Sequence, residues 1–174
     1  MGGRTMKAAN SNASVALRPF LPADAERLAA IFRAAVMDLT EEDYDQDQRE
    51  AWAAAADDED AFAARLGAHL TLVALIEGEV SGFVTLKDDS HMDLLYVAPE
   101  AVGLGVATTL CTAAETLSRA RGAEALEVDA SDTALGFFQQ RGYVAQSRNT
   151  VPRGDVWLAN TSLRKPLADP KVPS

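Results

Sequence analysis

The chain has 174 residues, 48% of them hydrophobic, which is enough for one domain with a real core and too few for two of ordinary size. Its 26 acidic residues against 16 Lys and Arg leave a net charge of −10, which argues against a general nucleic-acid or anionic-membrane surface, since phosphate-rich partners need a basic face. The lone cysteine, Cys111, excludes a disulfide framework, and His69 and His91 without a close third ligand argue against a zinc site, so no metal is expected.

Met1 to Ser14 is small and polar and lacks the apolar middle segment of a signal peptide. Residues 1–14 are expected to form a flexible N-terminus, 15–167 the domain, and 168–174 a frayed tail. Val15 to Arg18 reads as a strand, and Pro22 opens a helix running to about Leu39. An acidic turn from Thr40 to Asp47 leads to a helical segment at Gln48 to Ala56, and Asp57 to Gly67 continues helical after a break. Leu70 to Ile76 and Val80 to Lys87 form a hairpin through Glu77-Gly78-Glu79, with His91 to Val97 as the next antiparallel strand. The run Leu70 to Ile76 is the longest apolar one and falls far short of the ~20 residues that cross a bilayer, so a soluble cytoplasmic protein is expected. A helix from Ala107 to Arg121 stops at Gly122, and Ala125 to Ala130 is a strand. A short helix beginning near Ala134 follows, then a last pair of strands, Tyr143 to Thr150 and Val156 to Leu163, turned through Pro152-Arg153-Gly154-Asp155. No internal repeat interrupts this order.

The segment richest in chemistry is Tyr96 to Thr108, where an apolar strand ending at Pro99 runs into Gly103-Leu104-Gly105-Val106-Ala107 and then a helix. Glycines there permit positive φ and a close backbone approach. The unpaired N–H groups of the helix's first turn and its positive dipole end then make an anion site. A nucleoside-triphosphate loop would need Gly-Lys-Ser/Thr, which is missing, and a dinucleotide loop would need a glycine where Thr108 stands.

Val97, Pro99, Gly105 and Ala107 match the pyrophosphate loop of the GCN5-related N-acetyltransferases, Gln/Arg-x-x-Gly-x-Gly/Ala following a strand that ends in Val-x-Pro. The chain resembles this family from Val15 to Leu167. Val102 stands at the Gln/Arg position, leaving backbone donors without that side chain. Downstream, Ser131-x-x-Ala134-x-x-Phe137-Phe138-x-x-x-Gly142-Tyr143 parallels the family's Asn-x-x-Ala-x-x-Phe-Tyr-x-x-x-Gly-Phe. Phe138 replaces a tyrosine that can protonate the departing thiolate, and it has no proton to give. Read without the family, the same stretch is a short amphipathic helix capped by Ser131 or Asp132, with Ala134, Phe137 and Phe138 in the core. The resemblance implies an α/β (α+β) fold: a mixed, mostly antiparallel sheet flanked by helices, its central strands His91 to Val97 and Ala125 to Ala130 splaying to admit acetyl-CoA. It implies pantetheine pairing with backbone at Leu95, Tyr96 and Val97, the Val97 N–H also polarising the thioester carbonyl. It implies a pyrophosphate held at Val102, Gly103, Leu104, Gly105, Val106, Ala107 and Thr108, and a second wall at Ser131, Ala134, Phe137, Phe138 and Arg141.

The implied activity is an acetyl-CoA-dependent N-acetyltransferase in which an amine attacks the thioester directly within a ternary complex. No Gly-x-Ser-x-Gly elbow or Cys-His constellation calls for a covalent intermediate. A silent acyl-CoA-binding module and a protein or peptide N-acetyltransferase are the alternatives. Asp93 is the candidate for the general base or for the start of its water chain: strict strand alternation puts it with Leu95 and Val97, where an apolar surrounding raises a carboxyl pKa. It also reads as a strand-end aspartate in water or one paired with an arginine such as Arg18. His91, at the strand entrance, is a further candidate. Tyr44, Gln48 and Trp52, at a spacing of four, would share a helix face as the acceptor wall. Tyr-x-x-x-Gln-x-x-Ala-Trp resembles the YafP-type bacterial branch, as does Trp157 to Leu163. Trp52 reads as core packing before it reads as acceptor wall, and Tyr44 as either. A small-molecule amine is the expected partner, basic or neutral rather than acidic given the chain's net charge, with Glu41 to Asp47 attracting a cation. A homodimer is left open.

Overall fold

The computed structural model describes residues 14–167; the expected terminal segments lie outside them, apart from Ser14. In chain order the elements are β1 (Val15–Pro19), α1 (Ala25–Leu39), α2 (Gln46–Ala53), α3 (Glu59–Ala68), β2 (Leu70–Ile76), β3 (Glu79–Lys87) and β4 (His91–Val97). Then come α4 (Val106–Ala120), β5 (Ala125–Ser131), α5 (Leu135–Gln140), β6 (Val144–Arg153) and β7 (Val156–Pro166). Short 3-10 turns at Pro22–Asp24, Ala54–Ala56 and Pro99–Ala101 link them.

Seven strands form one sheet in the order β1-β2-β3-β4-β5-β7-β6. Every join is antiparallel except β4–β5, which is parallel and pairs only at His91–Glu127 and Met92–Val128. The expected mixed sheet with splayed central strands is therefore present. The β2–β3 hairpin closes on Glu77 and Gly78, both at positive φ (52° and 83°), the conformation that matches strand twist in a two-residue turn.

The middle strands read as nearly continuous apolar runs because both faces are covered. On one face Phe83 meets Phe62 of α3 at 6.5 Å between ring centroids. On the other, Gly82 lies against α4: a Cβ there would sit 2.8 Å from Val106 Cγ1 and 2.9 Å from the Tyr96 carbonyl oxygen. The absent side chain at Gly82 thus seats the first turn of α4 directly on the sheet. Leu28, Ile31 and Phe32 of α1, Leu66 of α3, Leu110 of α4 and Leu126 of β5 close the core, each 2% exposed or less.

Several element ends shift by a few residues from expectation, and three departures have a clear local reason. Helix α2 starts at Gln46, not Gln48, because the Asp45 carboxylate accepts from the Gln48 N–H (2.8 Å) while the Gln48 side chain accepts from the Asp45 N–H (2.9 Å), a reciprocal cap. The last hairpin turns only at Gly154 and Asp155, and β6 carries Pro152 within it, tolerated because β6 is an edge strand. Neither Ser131 nor Asp132 is the residue that caps α5. Ser131 Oγ accepts from the Ala134 N–H one residue ahead of the helix (3.1 Å), and Asp132 pairs with Arg148 (2.9 Å). Among the described residues, no helix is long and apolar enough to cross a membrane, and no three His, Cys, Asp or Glu side chains gather as a metal set.

Candidate active site

Beyond Met92 the strands β4 and β5 part, and the backbone of β4 faces the opening. The Ala98 N–H donates to the Ser81 carbonyl at 2.9 Å. Hydrogen-bonded and non-bonded pairs alternate along an antiparallel ladder. Val97–Gly82 and Leu95–Val84 are therefore non-bonded pairs, and the N–H and C=O groups of Leu95 and Val97 point away from β3 into the gap. The same alternation turns the Tyr96 backbone towards β3. Of the three residues expected to offer backbone to a pantetheine arm, Leu95 and Val97 turn theirs into the gap and Tyr96 does not. Tyr96 instead contributes its side chain.

The gap opens into a cleft of about 500 Å³ between β4 and β5, with Phe137 and Phe138 on one wall and α1–α2 above. A second cavity of about 370 Å³ lies over the 101–108 loop, and both share Val97, Ala107 and Phe137 as lining, so the two form one channel. Gly103 and Gly105 hold φ of +87° and +86°, and a Cβ at either would meet nothing within 4 Å. The requirement there is conformational, and the space in front of the loop stays open. Gly105 is the N-cap of α4 and no side chain caps that end. The first intrahelical bond runs from the Thr109 N–H to the Gly105 carbonyl (3.0 Å), which leaves the N–H groups of Val106, Ala107 and Thr108 without helical acceptors. Those donors border the second cavity, the arrangement that holds an anion. Val102, 54% exposed, stands at the rim.

Asp93 corrects the sequence reading twice. Pairing between β3 and β4 passes from Thr85–Leu94 to Leu86–Met92, so Asp93 has no opposite residue and forms a β-bulge. A bulge re-aims a side chain by interrupting the period of two. Asp93 therefore does not share a face with Leu95 and Val97. It reaches α3, where Arg65 Nε donates to Oδ2 at 2.9 Å and Nη2 to Oδ1 at 3.1 Å. Burial pushes the carboxyl up, but the Arg65 hydrogen bonds and charge, with His69 and His91 adding to them, outweigh it and hold the group below its usual value. Asp93 is an ionised carboxylate and not the raised-pKa base expected. Its arginine is Arg65; Arg18 binds Asp24 at 2.8 and 2.9 Å.

The acceptor wall is also built differently from a helix face. Tyr44 precedes α2 and is 4% exposed. Its hydroxyl donates to the Ala159 carbonyl (2.7 Å) and accepts from the Asp132 N–H (2.9 Å), tying three segments together, and its ring stands edge-on to Trp52 at 5.3 Å. Gln48 lies outside the cleft, donating to the Trp157 carbonyl at 2.8 Å. Trp52 and Tyr44 line the cleft, together with Tyr96, whose ring meets Phe32 at 4.7 Å and whose hydroxyl burial pushes up to about 12. His91 lines it too.

Arg141 is not brought into the cleft. It donates to Glu115 (3.0 Å) and Thr112 (3.1 Å) behind the wall and sits over the Phe137 ring at 5.8 Å. Glu115 also accepts from the Tyr143 hydroxyl (2.8 Å) and pairs with Lys165 (3.2 Å). Tyr143 packs edge-on to Phe138, and Phe138 to Phe137, each at 5.2 Å, so this buried cluster backs the cleft wall. Cys111 is buried core beside it, as expected. Arg65 and Arg153 line the cleft and escaped the sequence reading. Nothing local marks either one, because each acquires its place from an element distant in the chain.

Comparison with known proteins agrees with this geometry. A family model described as the acetyltransferase (GNAT) domain matches residues 40–159. The Escherichia coli (strain K12) protein named uncharacterized N-acetyltransferase YafP is 30% identical over 151 residues, covering 87% of this chain and 95% of that protein. A GCN5-related N-acetyltransferase from Rhodopseudomonas palustris superposes with a TM-score of 0.88 at 54% identity, covering 90% of this chain and 98% of that one. The PaiA N-acetyltransferase from Thermoplasma acidophilum, solved with coenzyme A, shares the fold with a TM-score of 0.74 at 18% identity, over 88% of this chain and 99% of that one. The parted strands, the glycine loop under a bare helix end and these matches together place the chain in the GNAT family of N-acetyltransferases, in the branch that resembles YafP.

Proposed function

We propose that the protein moves the acetyl group of acetyl-CoA to the amine of a small molecule by direct attack in a ternary complex, with residues 15–167 as the catalytic unit. One observation carries this reading. The unpaired backbone of Leu95 and Val97 runs from a bare helix end to a cleft lined by aromatic side chains, a channel shaped for a pyrophosphate, an amide-bearing arm and a thioester in that order. The PaiA structure, a relative in fold, holds coenzyme A.

In this reading the N–H groups of Val106, Ala107 and Thr108 receive the pyrophosphate, and Leu95 and Val97 pair with the pantetheine amides. The Val97 N–H also faces the thioester oxygen, which gains charge as the bond order falls. The acceptor arrives as an ammonium ion and must lose one proton before its lone pair attacks the carbonyl carbon. A C–N bond forms and the C–S bond breaks. The nitrogen then releases a second proton, and sulfur leaves as a thiolate. Thiols ionise near a pKa of about 8.5, so the thiolate departs without a side-chain acid and takes its proton from water, in keeping with Phe138 having none to give. Asp93, ionised on Arg65, accepts hydrogen bonds from the ammonium and from its first water, and that water carries the protons to solvent.

The roof favours a small acceptor over a peptide. Tyr44 and Gln48 tether the α2 segment to β7 and to the turn before α5, which fixes a wall beside the cleft and limits the room for a bulky acceptor. Incubation with acetyl-CoA and a panel of small amines, followed by thiol release, tests the reading. Acetyl-CoA binding together with amine-dependent thiol release is the expected result; binding with no release from any amine would make the protein a silent acyl-CoA module.

A further inference from the structure

Resting on the acetyltransfer reading, the acceptor can be narrowed. The charges in the acceptor end of the cleft are unevenly matched. Arg65 gives its Nε and Nη2 protons to the two Asp93 oxygens. Arg153, which ends β6 and lines the same cleft, donates from Nη1 to its neighbour's carbonyl, that of Pro152, at 3.0 Å. Among the described residues seven arginines lie within 4.0 Å of a carboxylate; Arg33, Arg49, Arg119 and Arg153 do not, and of these four Arg153 is the one that lines the cleft.

Besides Asp93 the one carboxylate among the described residues lining the cleft is Asp129, and it lies far along the sheet. Asp129 pairs with Ser162 on β7, whereas Arg153 pairs with Val156, six residues away along that strand. At ~3.3 Å per residue the separation is about 20 Å. Asp129 is held in place by the Ser162 hydroxyl at 2.6 Å. Arg65, Asp93, Tyr96 and Arg153, by contrast, all line the one cleft, so Arg153 and the Asp93 bulge border the same chamber.

We propose that the acceptor is a small amine that also carries a carboxylate, as an amino acid does, with Arg153 holding the carboxylate while the amine lies between Asp93 and the Val97 N–H. A guanidinium matches a carboxylate in two parallel hydrogen bonds, and its attraction to a neutral amide of the same shape is far weaker. The net charge of −10 pointed to a basic or neutral acceptor; the cleft's own unpaired cation points to an acid-bearing one.

The test uses matched acceptors: amino acids, their carboxamides and their decarboxylated amines, assayed for thiol release with saturating acetyl-CoA. Acids should exceed their carboxamides in kcat/KM by about 10–100-fold, the worth of a charge-assisted hydrogen bond. Arg153→Gln should bring that ratio to about one by raising KM for the acid with little change in kcat, the mark of lost binding and not lost chemistry. Arg153→Lys should keep part of the preference. Equal rates for acid and carboxamide in the parent protein, turnover confined to amines without an acid group, or a preference that survives Arg153→Gln would each overturn the proposal. If no amine on the panel releases thiol, calorimetric binding of the same pairs to the protein saturated with coenzyme A gives the same ratio and decides the question in the same way. Loss of acetyl-CoA binding itself would instead remove the activity reading beneath it.

Discussion

Asp93 shows how one residue's role depends on a neighbour that the strand pattern does not reveal. Alternation reads it among apolar side chains, yet a single unpaired position in β4 swings it to α3, where Arg65 keeps it ionised. Asp93→Asn should lower turnover by about 10²-fold with acetyl-CoA affinity near the parent value. The acid limb of the pH–rate profile should persist, because a carboxyl held below its usual value is already ionised there and the limb belongs to the acceptor amine. A pH–kcat/KM series on both proteins checks this, and loss of the limb in the variant would return Asp93 to the role of general base. Gly105 is simpler and was legible, since a φ of +86° at a helix start leaves few alternatives to glycine. Gly105→Glu forces a left-handed conformation costing about 1–2 kcal/mol and sets a carboxylate before the anion site. Calorimetry should show acetyl-CoA affinity reduced at least about tenfold.

At the scale of elements, the helix and strand order was readable because apolar runs, glycine stops and the hairpin turn each act locally. What could not be read is how closely elements approach. Gly82 in β3 looks like an ordinary strand glycine in the sequence, but it is the floor on which α4 rests. Gly82→Ala should destabilise the fold by about 1–3 kcal/mol through overpacking and weaken acetyl-CoA binding as the α4 end is displaced, measured by denaturant unfolding and titration. Behind the other wall, Glu115 joins α4, α5 and β7 through Tyr143, Arg141 and Lys165. Arg141, expected at the cofactor, is held by that carboxylate, a partnership 26 residues distant. Glu115→Gln leaves two cations facing an amide. The loss should be about 3 kcal/mol, or roughly a 6–12 °C fall in Tm, read by calorimetric melting.

Taken as a whole, the molecule is an acidic sheet whose stability leans on carboxylates held ionised by cations. Asp24, Asp93 and Glu115 all sit below their usual values. Groups with depressed folded-state pKa add stability above their unfolded values of about 3.9 and 4.3, and that stability is lost as pH falls through the folded values. Tm should therefore stay nearly level from about pH 7 to pH 5 and fall steeply below about pH 4, with Glu115→Gln showing a shallower fall. The larger architecture was legible because the loop motif and the Ser131 to Tyr143 pattern mark both sides of the parted strands. The chamber's charges were not, since Arg65, Asp93 and Arg153 converge from α3, β4 and β6 only after folding. Everything proposed for the chemistry rests on acetyl-CoA lying in the opening between β4 and β5, against backbone that the sheet leaves free. Amide hydrogen exchange with and without acetyl-CoA reads that contact directly. New protection is expected at Val97, Val106, Ala107 and Thr108 with little change at Tyr96, whose N–H already faces β3; unchanged exchange at Val97 and across the loop, under saturating acetyl-CoA, would contradict it.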